Sequence, residues 1–128
     1  MFQGGCCMEI RIVNLAEKAK EIKELHKYKL VAELNDYQFN LVRAKREFVW
    51  HSHPETDEVF LVVEGKMELA FRDKTFELKR GELIVVPKGM EHKPICLEEC
   101  TVMLIEPRGT LNTGSAGGAL TDTDLEWI

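Results

Sequence analysis

From Leu30 onward the chain is a succession of short runs rich in Val, Ile, Phe and Leu, each broken within a few residues by a turn signal. The runs are Leu30–Leu34, Tyr37–Ala44, Phe48–His51, Glu58–Val63, Met67–Phe71, Thr75–Leu78, Leu83–Val86 and Thr101–Ile105. The breaks are Asn-Asp, Glu-Gly-Lys, Arg-Asp-Lys, Lys-Arg-Gly and Pro-Lys-Gly. Such runs read as strands with tight connections. Antiparallel strands so closely spaced protect their edges by closing up, which predicts an all-β barrel or sandwich. Before them, Asn14 followed by Glu17 reads as a helix start, and Ala16, Ala19, Ile22 and Leu25 recur every three residues. That spacing predicts one short amphipathic helix over 14–26.

The 128 residues fit a single domain: an arm over 1–13, the helix, a barrel over 30–106 and an irregular tail over 107–128. In the tail, Leu125, Trp127 and Ile128 are apolar enough to dock back onto the body. The net charge of −5 and the absence of clustered cations exclude a general nucleic-acid or anionic-membrane binder. No run approaches the roughly 18 apolar residues of a membrane span. No signal peptide is evident before the body, so the expected setting is the cytoplasm, with Cys6, Cys7, Cys96 and Cys100 as free thiols. Cys96 and Cys100 are close enough in sequence to reach each other. Met1–Cys7 shows no periodicity, and Met8 is an alternative natural start.

The chemistry concentrates in two stretches. His51 and His53 are two apart, so on extended chain both imidazoles point to one face. Glu58 opens the next strand after the Pro54–Asp57 connection and can be aimed at the same point. His92 follows a Pro-x-Gly turn at Pro87 and Gly89. Three imidazoles and a carboxylate suit a divalent transition metal such as Fe, Mn, Ni, Zn or Cu. Without a cation, the alternative is a polar pocket in which every group needs a hydrogen bond. Asp57 falls on the opposite face from Glu58 and reads as a turn residue, and His26, near the expected helix end, reads as structural.

These stretches resemble the paired motifs of the cupin superfamily, G-x5-H-x-H-x3,4-E-x6-G and G-x5-P-x-G-x2-H-x3-N. His51, His53, Glu58 and Gly65 match the first, and Gly81, Pro87, Gly89 and His92 match the second. Lys45 replaces the first glycine and Cys96 the final asparagine, neither of them a ligand position. The resemblance covers about Leu30 to Glu106. It implies a cupin-type antiparallel β-barrel (a double-stranded β-helix, or jelly roll), a metal held by His51, His53, Glu58 and His92, and a homodimer.

Alternation then gives a lining. Glu58 inward places Phe60 and Val62 inward, with Val59, Leu61 and Val63 outward, where the helix, the tail or another subunit must cover them. His51 inward places Val49 and Glu47 inward and Trp50 and Phe48 outward. His92 inward places Pro94 and Cys96 inward, Cys96 as a soft ligand, a redox-sensitive thiol or an apolar filler. Tyr37, Phe39, Leu41 and Arg43 share one face and Gln38, Asn40 and Val42 the other, and the pattern does not decide which is inside. An inward Arg43 would hold a carboxylate or phosphate bidentately, and an outward one would be solvated. The candidate substrate pocket is therefore Arg43, Phe60, Val62, Cys96 and Met103. Glu58 is the candidate catalytic base as well as a ligand. The expected function is a metalloenzyme of dioxygenase or isomerase type acting on a small polar molecule. The alternatives are a non-catalytic barrel that binds or senses a sugar or acid, and one with a vestigial metal.

Overall fold

The computed structural model describes residues 9–123 and 125–128; the Cys6, Cys7 and Met8 expectations lie outside them. One helix, α1 (Leu15–Glu21), precedes eight strands. These are β1 (Lys29–Leu34), β2 (Tyr37–Glu47), β3 (Glu58–Glu64), β4 (Lys66–Ala70), β5 (Thr75–Lys79), β6 (Leu83–Val86), β7 (Lys93–Pro107) and β8 (Glu126–Trp127). The hydrogen-bonded order is β5-β4-β7-β2-β1-β8, with β3 joining both β6 and β7. The strands form a β-barrel, as the alternating runs imply, of the cupin type that the motif resemblance implies.

The long β7 organises it. It pairs antiparallel with β2 from Glu47↔Ile95 to Tyr37↔Pro107, with one register shift between Ala44 and Arg46. Along its other edge, β4 takes Lys93–Ile95 and β3 takes Thr101–Ile105. Two apolar clusters result. The inner one gathers Val42, Phe60, Val62, Met67, Leu69, Val102 and Leu104. The outer one gathers Ile22, Val31, Leu41 and Met103, with Leu61, Val63, Leu15 and Ile128 packed on it. The outward side of β3 is thus covered by helix and tail of the same chain. The tail docks through Ile128, whose N–H donates to the Leu30 carbonyl at 3.0 Å, and through β8, which runs parallel to β1.

Asn14 caps the helix, its Oδ1 accepting from the Glu17 N–H at 3.0 Å. The helix ends at Glu21 and not at residue 26, because Ile22 turns extended (φ −82°, ψ 114°). That turn drops its side chain, 0% exposed, into the outer cluster. Burying Ile22 outweighs continuing a solvated helix past a residue that no cap favours. The freed Ile22 carbonyl accepts from the Arg43 guanidinium. The expected strand Phe48–His51 does not form; only an isolated bridge, His51↔His92, survives there. Phe48 consequently escapes the alternation inferred from His51: it turns toward the barrel interior and its N–H donates to the Pro94 carbonyl at 2.9 Å. Glu47, expected inward, is exposed and paired with Lys93 at 2.6 Å. Cys96 and Cys100, expected as free thiols, are joined by a disulfide across an outward loop of β7.

Candidate metal centre

His51, His53, Glu58 and His92 converge. One donor atom from each lies within 4.8 Å of all the others, and all four residues are buried. Three structural devices bring them there. The bridge between His51 and His92 ties their backbones, with the His51 N–H donating to the His92 carbonyl at 3.0 Å and the reverse bond at 2.9 Å. The Gly89 N–H donates to the His53 carbonyl at 2.9 Å and anchors the Pro-x-Gly turn on the other histidine. Glu58 starts β3 opposite Val86 and points inward with Phe60 and Val62.

The donor chemistry fits a cation. Nδ1 of His51 lies 2.9 Å from the Val49 carbonyl and Nδ1 of His92 lies 2.9 Å from the Met90 carbonyl. A carbonyl only accepts, so each Nδ1 carries the proton and each Nε2 presents a lone pair. Nε2 of His53 and of His92 both lie 3.3 Å from Glu58 Oε1. Yet those two nitrogens and both Glu58 oxygens are buried without any hydrogen-bond donor. The His92 Nε2 lone pair and the Glu58 carboxylate face each other as acceptors, which repel in a buried space, whereas a divalent cation satisfies them together. These residues could hold a metal ion. Burial pushes the His51 imidazole down to about 4, which keeps it neutral and able to ligate. Burial opposes ionisation of Glu58 as well, but polar contacts at its oxygens, with the His53 ring foremost, outweigh it, and the carboxyl is held below the usual range.

A second acid, which sequence reasoning missed, lies against the first. Glu106 on β7 is 2% exposed, and its Oε2 accepts from Gln38 Nε2 at 3.3 Å and Asn40 Nδ2 at 3.1 Å. Burial, then the charge of Glu58, hold its carboxyl well above the usual range, so Glu58 is the charged member of the pair and Glu106 the neutral one. Tyr28 completes this floor, its phenol raised above all by burial. Inward alternation from Val102 and Leu104, carried one step past the apolar run, is the signal that leads to Glu106.

The tail forms a strap over the cluster. A Cβ on Gly114 would stand 2.3 Å from the Ser52 carbonyl oxygen and 3.1 Å from both the His51 and His53 rings. The Ser115 N–H donates to the Ser52 carbonyl at 3.0 Å, and the Ser52 N–H donates to Ser115 Oγ at 3.3 Å. Farther on, the Tyr28 N–H donates to Asp122 Oδ2 at 2.9 Å.

Beside the cluster lies a small, partly open cavity lined mainly by Tyr28, Val42, Phe48, Phe60, Met67 and Cys96. Phe48 meets the His51 ring edge-on at 5.6 Å and Phe60 meets His92 at 5.7 Å, so the cavity adjoins the imidazoles through two aromatic rings. Of the pocket residues expected from sequence, Phe60 and Cys96 line this cavity and Val62 stands in the inner cluster beside it. Arg43 and Met103 do not. Gln38, Asn40 and Val42 take the inside, which turns Arg43 outward to fork Glu99, and Met103 belongs to the outer cluster. Of the Cys96 alternatives, the soft ligand and the free thiol fall away, since its sulfur is bonded to Cys100.

The family model described as Cupin domain matches residues 40–106. An uncharacterized Bacillus subtilis protein, YdbB, is 38% identical over 84 residues, spanning 65% of this chain and 74% of that protein. A cupin-2 domain containing protein from Shewanella frigidimarina is 49% identical with a TM-score of 0.74, covering 76% of this chain and 95% of that one. A Neisseria meningitidis protein of known structure is 33% identical with a TM-score of 0.70, covering 76% and 99%.

Proposed function

The chain belongs to the Cupin domain family, and from that premise we propose that it is a metalloenzyme acting on a small polar molecule by dioxygenase- or isomerase-type chemistry. The observation that carries the metal is the convergence of His51, His53, Glu58 and His92, where Nε2 of His53, Nε2 of His92 and both Glu58 oxygens are buried without a hydrogen-bond partner. A divalent ion held by His51, His53, Glu58 and His92 would supply a Lewis acid for a bound ligand. The chain's own groups do the rest. The Nδ1–H bonds to Val49 and Met90 fix the ring orientations of His51 and His92. Glu58, kept anionic beside neutral Glu106, is the group able to take a proton from a bound molecule. The burial of all four residues keeps bulk water from that exchange. Homodimeric assembly and a cytoplasmic setting belong to the same reading; fully exposed Ile10 and Ile12, with Leu83 and Val85 exposed on β6, are apolar surface suited to a second copy.

Elemental analysis of the purified protein tests the reading. About one divalent metal per chain is expected, since one ligand set is present, and it should fall away in His51→Ala and in His92→Ala. Unchanged metal content in those variants removes the ligand assignment. Oxygen-uptake screening over sugars, hydroxy acids and thiols then separates the oxygenase chemistry, while binding without turnover favours a sensing or storage barrel.

A further inference from the structure

The cavity has one feature that the metal cluster does not use. Among the described residues, three that are not glycine have positive φ: His26 at 63°, Asn35 at 54° and Arg46 at 73°. Asn35 lies in the turn between β1 and β2, where asparagine adopts this conformation readily. The other two both line the cavity. Left-handed backbone at residues with a Cβ is costly, and it collects where a side chain must be aimed.

The aiming is visible in the register. β2 pairs with β7 as Ala44↔Cys100 and then as Arg46↔Cys96, so Lys45 and the segment Leu97–Glu99 are thrown out of the ladder. Paired irregularities of this kind bend a strand and redirect a side chain. The disulfide between Cys96 and Cys100 closes the base of the β7 loop, and Cys96 shares the cavity with Arg46. Arg43, Arg72 and Arg108 each engage a carboxylate of the chain, on Glu99, Glu91 and Glu33. Arg46 engages none among the described residues. It is exposed at the rim and is the one permanently charged group of a lining otherwise built mainly from apolar side chains.

We propose that this cavity takes a small carboxylate, its apolar body against Phe48, Phe60 and Val42 and its carboxylate forked by Arg46 at the mouth. A planar guanidinium offers two parallel N–H donors that match a carboxylate and not an amide or an alcohol. The sequence points to an arginine in this role at Arg43; the barrel assigns it three residues later. The inference rests on the reading of the cavity as the ligand site of a metal-binding barrel, and it specifies the ligand class.

The test is isothermal titration of the metal-loaded protein with propionate, hexanoate and benzoate, each beside its matching amide. At least one carboxylate should bind about ten-fold or more tightly than its amide, the range expected of a charge-assisted pair. Arg46→Gly, which suits the left-handed backbone, and Arg46→Gln, which keeps the length, should both erase the preference. Arg43→Ala should leave it unchanged. Metal content, measured on every variant, should stay at the wild-type level. Equal binding of acids and amides, no binding of either, or a preference that survives both Arg46 variants overturns the proposal while leaving the metal site standing. A wild-type protein that holds no metal but still prefers the carboxylate overturns the metalloenzyme reading and leaves the Arg46 assignment intact.

Discussion

Gly114→Ala tests whether the strap supports the imidazole cluster or merely passes over it. The backbone there has φ +52°, where an alanine costs on the order of 1 kcal/mol. The larger effect is steric. The new Cβ would stand 2.3 Å from the Ser52 carbonyl oxygen, against an ordinary contact of 3.4 Å or more, so the strap must retreat by about 1 Å. That retreat breaks the Ser115 N–H bond to Ser52, 3.0 Å long, and loosens the two Ser52–Ser115 contacts at 3.3 Å. At roughly 0.5–1.5 kcal/mol for each hydrogen bond, the loss reaches about 3 kcal/mol. For a chain of this length that lowers Tm by about 10 °C. The His51 and His53 rings, 3.1 Å from the same Cβ, are pushed as well, and a displaced ligand sphere loses about ten-fold or more in metal affinity. Gly117→Ala is the control: φ is +65°, but the Cβ meets nothing within 4 Å. It should cost only the backbone part, a few degrees, with metal affinity unchanged. Thermal unfolding and metal titration on both variants decide. If Gly114→Ala matches Gly117→Ala in both measurements, the strap does not support the ligands.

Deleting residues 124–128 should lower Tm by several degrees, because half-buried Leu125 and Ile128, the Ile128 N–H bond to Leu30 and the Lys18 bond to the Ile128 carbonyl contribute about 2–3 kcal/mol together; an unchanged melting curve contradicts that docking. The pH dependence of the metal-free protein should reveal two opposed groups. His51, pushed down from 6.5 to about 4, gives stability that is full above 6.5 and lost on acidification toward 4. Glu106, pushed up, gives stability lost in the other direction, as pH rises above the ordinary carboxylate range. Wild-type protein should therefore vary little between pH 6.5 and 4.5, whereas Glu106→Gln should lose about 2 kcal/mol on acidification across that window, and parallel melting curves against pH for the two proteins contradict the assignment.

What was legible in the sequence is what local periodicity encodes. β3 alternates cleanly because one face meets the inner cluster and the other meets α1 and the tail, so Glu58, Phe60 and Val62 could be placed inward from residue spacing alone. Leu83–Val86 was found to the residue, since charged turns bound it on either side. The helix end was not legible: Ile22 and Leu25 continue a helical spacing, but the outer cluster recruits Ile22 by tertiary packing. Phe48 was misplaced because alternation holds only within an unbroken strand, and β2 ends at Glu47; for Arg43 alternation holds, and the pattern left open only which face of β2 is inside. Gly114 lies in Thr-Gly-Ser-Ala-Gly-Gly, which reads as irregular chain because its partner, Ser52, is far away in sequence.

The division of labour within the barrel follows from that same geometry. A regular sheet offers side chains only on a lattice, two residues apart along a strand and one strand apart across it. Such a lattice is well suited to the Gln38, Glu106 and Glu58 belt, whose members sit side by side on β2, β7 and β3 and need only a fixed spacing. It cannot bring three imidazoles from two connections onto one carboxylate, nor set a guanidinium at a cavity mouth. Those placements come from departures: the lone bridge between His51 and His92, the Pro87–Gly89 turn, the skipped residue beside Arg46 and the strap pressed flat by Gly114. Local rules of sequence are broken where chemistry needs a position the lattice lacks, and the compensation is paid in the strands around it. The proposed metal and carboxylate sites therefore stand on separable irregularities, so a change at Arg46 should alter ligand choice without emptying the metal cluster, and a change at Gly114 should loosen the metal while the Arg46 bulge keeps its register.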